Sequence, residues 1–371
     1  MSTTLPPEIL DLIVDHLHDE PDTLEACCLV SKSWVPRARR HLFADVEFSS
    51  PTSVQSWMRA FLHPSNSPAH QTRSLSIYGF LAIASAESTV VRAWVHSFRH
   101  IETLVVNLSW NDGDSLSQLH GLSPILKSLK VDESVISPPE LIDLICSFPL
   151  LEDVWLRCIA TVTWGDTDGW DIPSTSPKLT GSLYLSGDIH PVVRRMLDLP
   201  GGLHFAKIST FCPVEAAGAT IDLVSSCSGT LESLCVGYTF FRPDRFPPPL
   251  DLSEATKLKD IEFWFTRPEI RWNTTALLSA KSEYLQQITI HSLAIFADPV
   301  GEGVSQEWQD LDHLLVRLWT ERSILPKFQY TKGRVKGGRG EIVPFLLPEL
   351  TRMGAVEDKI IRTLSMPWST L

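Results

Sequence analysis

The segment Leu151-Glu152-Asp153-Val154-Trp155-Leu156 shows the pattern that decides the fold of this 371-residue chain. Apolar residues stand at its first, fourth and sixth positions, and alternation of this kind is typical of a strand with one buried face. We take Val154, the middle apolar residue, as the anchor of the segment. The pattern recurs every 25 to 29 residues, and its nine anchors are Leu75, Leu104, Leu129, Val154, Leu183, Ile208, Leu234, Ile261 and Ile288.

The spacing of the anchors predicts a solenoid with one strand and one return segment per repeat. The residue two positions after the anchor is apolar in eight of the nine repeats. Return segments agree in places: Ser137-Pro138-Pro139-Glu140 has the spacing of a capping box and opens a predicted helix that leads to Leu151. We therefore predict an α/β fold in which the anchors lie buried on consecutive parallel strands of one curved sheet, with return segments on its outer face.

This array resembles leucine-rich repeats over residues 72–295. In that family an asparagine five residues after the anchor satisfies backbone groups at the turn, but none of the nine repeats has asparagine there. We therefore expect an irregular solenoid. Residues 296–371 leave the repeat pattern and are predicted to cap its open end. They should contain a helix with Trp308 to Trp319 on one face, a last strand at 327–330 and a final helix starting at Leu347-Pro348-Glu349-Leu350.

The N-terminal stretch has a helical pattern instead. Leu5-Pro6-Pro7-Glu8 suits the first turn of a helix, where proline lacks only an unneeded N–H and a carboxylate meets the helix dipole. Asp22 with Glu25 has capping-box spacing, and Ser33 is a candidate cap for a third helix. So small a bundle cannot bury all its apolar residues. It is therefore either a helical cap on the array or a docking surface for a partner, formed by Leu5, Pro6, Ile9, Ile13, Leu29, Val30 and Trp34.

The order Leu-Pro-x-Glu-Ile-Leu, Leu-Val-Ser-x-x-Trp and Leu-Phe in residues 5–43 resembles the F-box. The resemblance implies that region 1–48 binds the Skp adaptor, and through it a cullin, in an SCF-type ubiquitin ligase. A helical linker is expected over 49–71. An F-box followed by degenerate leucine-rich-type repeats is similar to many fungal F-box proteins, in which the repeats would bind a protein substrate, here unknown. The alternative is a Skp-binding interaction protein or scaffold without a ubiquitin-ligase role.

Strand side chains alternate, so the residues one and three positions after each anchor should point away from the core. Trp155, Tyr184, Phe211 and Trp264 are aromatic at such positions, and Arg157 accompanies Trp155. Tryptophan, tyrosine and arginine are enriched at binding hot spots. These five residues are therefore predicted to form an exposed substrate-binding patch. The alternative is that the insertion at 162–176 or the C-terminal cap covers the rings, which would make them part of the core.

Composition narrows the partners and the compartment. The net charge of −12 argues against binding to nucleic acid or to an anionic membrane, since both require a basic surface. The sequence has no apolar run of the ~20 residues that a membrane span needs and no signal-peptide pattern at its start. The seven cysteines are scattered without a Cys-x-x-Cys pair, which favours a reducing compartment, the cytoplasm or nucleus.

Catalytic and metal-binding patterns are weak. The sequence contains no Gly-x-Ser-x-Gly, Walker or Gly-x-Gly-x-x-Gly motif. His96 and His100 have the spacing of a helical metal pair but lack a third ligand, and the aspartates at 166–171 lack the glycine and glutamate of a calcium loop. The basic, glycine-rich stretch 332–340 is predicted to be an exposed loop. We therefore predict a non-catalytic adaptor with no cofactor and no metal.

Overall fold

A computed structural model describes residues 6–61, 63–78, 94, 96–107, 119–132, 137–160, 173–188, 190–212, 217–238, 249–265, 270–292, 302–330 and 347–358. The chain divides into two compact units. Unit 1 contains Met1–Lys178 and Leu199–Gly201, and unit 2 contains Leu179–Asp198 and Gly202–Leu371. The insertion at 164–170, most of the second insertion at 242–249 and the basic stretch 332–340 lie outside the described residues.

Unit 1 begins with helices and continues with strands. Its elements are α1 (Pro7–His16), α2 (Pro21–Val30), α3 (Val35–Leu42), β1 (Asp45–Phe48), α4 (Pro51–Ala60), β2 (Ser74–Tyr78), β3 (Thr103–Asn107), β4 (Ser128–Asp132), α5 (Pro138–Cys146) and β5 (Asp153–Ala160). Two short 3-10 turns, Pro64–Asn66 and Pro68–Gln71, lead from α4 to β2. Ser137 caps α5 as predicted, since its Oγ accepts from Glu140 N at 3.3 Å.

The strands of unit 1 form a parallel sheet in chain order. Leu75 pairs with Leu104, Leu104 with Leu129, and Leu129 with Val154, which confirms the prediction that neighbouring anchors share one register. β1 was not predicted, because its residues fall in the region assigned to the F-box. It pairs with β2 through Val46 and Leu75. The sheet therefore begins inside region 1–48.

Unit 2 repeats the same arrangement. Its elements are β6 (Ser182–Asp188), α6 (His190–Leu197), β7 (Lys207–Cys212), α7 (Ala217–Cys227), β8 (Ser233–Tyr238), β9 (Asp260–Phe265), α8 (Ile270–Ser279), β10 (Gln287–Ser292), α9 (Glu302–Arg322), β11 (Leu325–Tyr330), α10 (Pro348–Arg352) and β12 (Val356–Asp358). All its strand pairs are parallel and follow chain order, and the predicted anchors from Leu183 to Ile288 share one register.

Part of the predicted cap continues this sheet. β11 pairs with β10, and β12 pairs with β11 through Val356 and Phe328. The strand expected at 327–330 is therefore present but is not the last one. Helix α9 buries Trp308 and Leu311 as its periodicity predicted. The carboxylate of Asp312, only 1% exposed, accepts from the backbone N–H groups of Glu349 (2.9 Å) and Leu350 (3.0 Å), so α9 caps the start of α10.

The core lies on one face of the strands in each unit. All nine anchors and all nine residues two positions after them are at most 2% exposed. The return segments pack on this face, and Leu141, Leu144 and Phe148, from α5 and the turn after it, are completely buried. Thr210 is the one polar residue among these eighteen, and it is also fully buried. The predicted orientation of the anchors is therefore confirmed.

Serine links adjacent repeats where the asparagine of leucine-rich repeats is missing. The Ser123 hydroxyl, six residues before anchor Leu129, is shared between the carbonyl oxygens of Arg99 (2.9 Å) and Ile101 (2.8 Å) in the preceding repeat. The Ser282 hydroxyl, six residues before anchor Ile288, makes the equivalent bonds. These serines satisfy backbone groups in the turns that lead into the strands, whereas the missing asparagine would act at the opposite end of the strand.

Candidate functional sites

The three N-terminal helices start at prolines rather than at the predicted caps. Pro7 is the first residue of α1, as expected. α2 starts at Pro21, so Asp22 does not cap it, and the Glu20 carboxylate before it accepts from the Thr23 hydroxyl at 2.9 Å. α3 starts after Trp34, so Ser33 does not cap it either. The fixed φ of proline and its missing N–H make it a sufficient start signal for a helix.

The core of the helical unit α1–α3 is small. Four residues are buried: Val14, Leu24, Cys27 and Ala38. Trp34, which was predicted to contact the adaptor, is only partly buried and packs against this core together with Leu17, Cys28 and Leu42. Trp34 therefore supports the surface at least as much as it contributes to it.

An ion cluster joins α1 to α3. The Asp15 carboxylate accepts from both Nε (2.5 Å) and Nη2 of Arg37, and His41 Nε2 lies 2.7 Å from Asp15 Oδ1. The hydrogen bonds from Arg37, followed by that from His41, hold the pKa of Asp15 well below its usual range. The cluster compensates for the small apolar core by fixing how the two helices cross.

Most of the predicted docking residues are exposed. Ile9 is 42% exposed, Ile13 43%, Leu29 89% and Val30 70%. Pro6 is exposed as well, and Leu5 lies outside the described residues. Sequence reasoning missed Leu12, which is 54% exposed. The signal was present, because the run Ile9-Leu10-x-Leu12-Ile13-Val14 contains more apolar residues than one helical face can bury.

The outer face of unit 1 carries two predicted recognition residues in neighbouring cross-strand pairs. The Lys130 ammonium lies 5.0 Å from the centre of the Trp155 ring, a cation–π contact. One position pair further along the strands, Arg157 binds the Asp132 carboxylate through both Nε and Nη2. Trp155 and Arg157 are both partly exposed, so they remain accessible, but each already has an oppositely charged or aromatic partner.

The outer face of unit 2 brings together the other three aromatic residues. The Tyr184 and Phe211 rings are 6.1 Å apart, and the Phe211 and Trp264 rings are also 6.1 Å apart. Tyr184 is only 8% exposed and Phe211 only 4%, so the prediction of exposure is wrong for both. They are core residues, which was the alternative, and only Trp264 is partly exposed.

Gly237 explains how Phe211 becomes buried. It lies on β8 between Phe211 and Trp264 in the register of the sheet. A Cβ atom at this position would lie 2.6 Å from Phe211 Cδ1 and 3.0 Å from Trp264 Cβ. The Phe211 ring thus occupies the space that a side chain on β8 would fill, and it reaches Trp264 across an intervening strand.

Glu262 and His291 surround Trp264 and were not predicted. Glu262 Oε1 accepts from Trp264 Nε1 at 2.5 Å and lies 2.8 Å from His291 Nε2. The His291 ring stacks on Trp264 with a centroid distance of 3.8 Å. Burial, and then the nearby Glu262 carboxylate, raise the pKa of the Cys235 thiol well above its usual range, so this thiol is neutral. The cluster therefore fixes the orientation of Trp264 and can bind but offers no activated nucleophile.

Other candidate chemistry is absent from the described part of the chain. Among these residues, no three histidine, cysteine or acidic side chains come together in a way that could hold a metal ion. His96 and His100 lie in turns rather than on a helix, so the predicted helical spacing does not arise. No helix in the described ranges has both the length and the apolar character needed to cross a membrane.

Comparison of the sequence with models of known protein families gives no match, and comparison with curated proteins gives none either. A functional assignment for this chain therefore depends on its own surfaces. The most distinctive of these is the exposed apolar set on α1 and α2.

Proposed function

We propose that this protein is a non-catalytic substrate-recognition adaptor of an SCF-type ubiquitin ligase. In this proposal α1–α3 bind the Skp adaptor, and through it a cullin, while the strand repeats bind a protein substrate. One observation carries it. Nine large hydrophobic residues are exposed in the described part of the chain, and five of them lie on α1 and α2: Ile9, Leu12, Ile13, Leu29 and Val30.

The exposure of these residues favours docking over a purely structural role. A helical cap on the array would bury its apolar side chains against the strands of its own unit, but Leu29 remains 89% exposed. Burial of one such side chain in an interface contributes about 1.5–3 kcal/mol. A helical partner with an apolar groove would therefore gain most of its binding energy from these positions.

The recognition surface proposed for the substrate is smaller than the sequence predicts. Trp155 and Arg157 in unit 1 and Trp264 in unit 2 are partly exposed and would contact the substrate. Tyr184 and Phe211 would instead support Trp264 from within the core. Glu262, whose side chain is 39% exposed, adds an acceptor next to Trp264.

The alternative function is a Skp-binding scaffold without a ligase role. It uses the same surface on α1 and α2, so the structure supports it equally up to the binding of the adaptor. Co-purification separates the two functions: a ligase subunit recovers a cullin together with the Skp adaptor, whereas a scaffold recovers the adaptor alone.

The test of docking is Leu29→Lys, measured by titration of the purified chain with the purified Skp adaptor. We expect affinity to fall at least tenfold, because a charge would enter an apolar interface. Lysine near the C-terminus of α2 is compatible with the helix dipole, so the fold should persist.

Leu278→Lys is the matched control. Leu278 is 57% exposed and is the penultimate residue of α8, as Leu29 is of α2. This variant should bind the adaptor like the wild type. Unchanged binding by Leu29→Lys, or an equal loss in both variants, would contradict docking through α2.

A further inference from the structure

A cavity of about 350 Å³ lies in unit 1, where α3 meets the turns that lead into β2, β3 and β4. Four basic side chains line it: Arg40 from α3, His70 and Arg73 from the turn before β2, and His100 from the turn before β3. A concentration of basic groups is unexpected in a protein with a net charge of −12. It indicates a local preference for an anion.

The two arginines of the cavity have no ionic partner among the described residues. One carboxylate, that of Glu102, also lines the cavity, but it lies 3.5 Å from Lys127 Nζ and is neutralised there. Elsewhere in unit 1 the structure pairs its buried and half-buried arginines, as with Arg37 and Asp15. Arg40 and Arg73 therefore hold positive charge that no described carboxylate uses.

The wall of the cavity also contains polar atoms that the protein does not satisfy. Thr72 is 0% exposed, and its hydroxyl has no hydrogen-bond partner among the described residues. The same holds for Oε1 of its neighbour Gln71. Buried polar groups in folded proteins are nearly always paired. Two unpaired atoms beside one cavity indicate that the cavity's occupant supplies hydrogen bonds.

We propose that this cavity binds a phosphate monoester dianion. Guanidinium groups present a planar fork of donors that matches phosphate oxygens, and such charge-assisted bonds are the strongest in proteins. Pro36 and Ile125 form apolar parts of the wall and would contact the carbon part of the ester. The volume is at the lower end of the range for ligand pockets, so a small ester fits better than a large cofactor.

The proposed site has a structural consequence that is independent of the adaptor function. Arg40 belongs to the helical unit and Arg73 to the start of the strand repeats, so one phosphate group would bridge the two regions of unit 1. A ligand that binds only the native chain stabilises it by mass action. Binding of the ester should therefore raise the melting temperature of the protein whether or not the Skp adaptor is a partner.

The test is a titration of the full chain with glycerol 3-phosphate, inorganic phosphate and glycerol, followed by calorimetry and thermal melting. Glycerol 3-phosphate should bind and raise the melting temperature, whereas glycerol should do neither. Arg40→Gln and Arg73→Gln should each weaken binding about tenfold or more, since each removes a charge-assisted contact. The matched control is Arg59→Gln, at an exposed arginine on α4 that does not line the cavity and should bind like the wild type.

The remaining outcomes also decide. Absence of binding by the wild type, or equal affinity in the Arg73 variant with an unchanged melting temperature without ligand, would overturn the site. Equal affinity for inorganic phosphate would support the anion site but overturn the contacts assigned to Pro36 and Ile125. A phosphoserine peptide that binds more tightly than glycerol 3-phosphate, with no binding of its unphosphorylated form, would support the site and identify a phosphorylated protein as the ester's source.

Discussion

The helical unit α1–α3 and the strand repeats achieve their stability in opposite ways. The helical unit has four buried residues, an ion cluster at Asp15 and five large apolar side chains in contact with solvent. Each repeat instead places an anchor at 0–1% exposure against the anchors of its neighbours. The comparison teaches that the region with the smaller core also has more apolar surface to offer, so a partner can stabilise the helices where the repeats need none.

The largest effect is expected in the repeats. Leu129 is completely buried between the anchors Leu104 and Val154. Leu129→Ala should lower the free energy of unfolding by about 2–5 kcal/mol, because it leaves a cavity in a close-packed sheet core. Urea denaturation measures this. Leu150→Ala, at a leucine that is 53% exposed, should change it by less than about 0.5 kcal/mol. Similar effects for the two variants would remove the distinction between anchored and unanchored leucines.

A smaller loss is expected from Gly237→Ala on the outer face of unit 2. The new Cβ would meet the Phe211 ring, and overpacking of this kind destabilises proteins by about 1–3 kcal/mol. Gly218→Ala is the matched control, because a Cβ there meets nothing within 4 Å. It should stabilise the protein by up to about 1 kcal/mol through the unfolded state. If Gly237→Ala is neutral, Phe211 is free to move and the outer face is not a rigid core.

The smallest effect is expected at the ion cluster of the helical unit. Asp15→Asn should lower the melting temperature at pH 7 modestly, because partly exposed ion pairs contribute little. The lowered pKa of Asp15 means that its contribution is present above the unfolded value of 3.8 and is lost as pH falls toward the folded value. The difference in melting temperature between the wild type and Asp15→Asn should therefore shrink from pH 7 to pH 3. Asp143→Asn, at an exposed aspartate on α5, serves as control. A difference that stays constant with pH would show that Asp15 acts through packing instead of charge.

The strands could be predicted from the sequence because their signal is local and repeated. Alternation over six residues, spaced at 25–29 residues, located all nine anchors. The same rule also fits β1, since Phe43, Val46 and Phe48 follow the pattern and Val46 precedes Leu75 by 29 residues. It was missed because the F-box resemblance covered those residues. β11 escapes the period, because the 21-residue helix α9 lengthens the connection before it.

The candidate surfaces were only partly predictable. An excess of apolar residues on short helices indicated exposed side chains, and Ile9, Ile13, Leu29 and Val30 are exposed. The burial of Tyr184 and Phe211 depends on contacts with residues distant in sequence, and strand alternation assigns a face without showing what covers it. Gly237 had no recognisable motif, although it creates the space for Phe211. The basic cavity is formed by residues from four separate segments, so no local pattern could reveal it.

The serine bonds between repeats also affect how the protein would respond to mechanical force. Ser123 and Ser282 each reach only the preceding repeat, and every strand pair in each unit joins neighbours in the chain. A load applied at the C-terminal end of unit 2 would therefore be resisted by one interface at a time. The repeats that end at Leu234, Ile261 and Ile288 are 27 residues apart. Each would lengthen the chain by roughly 90 Å as it detached, so extension would proceed in steps, with the remaining repeats still folded.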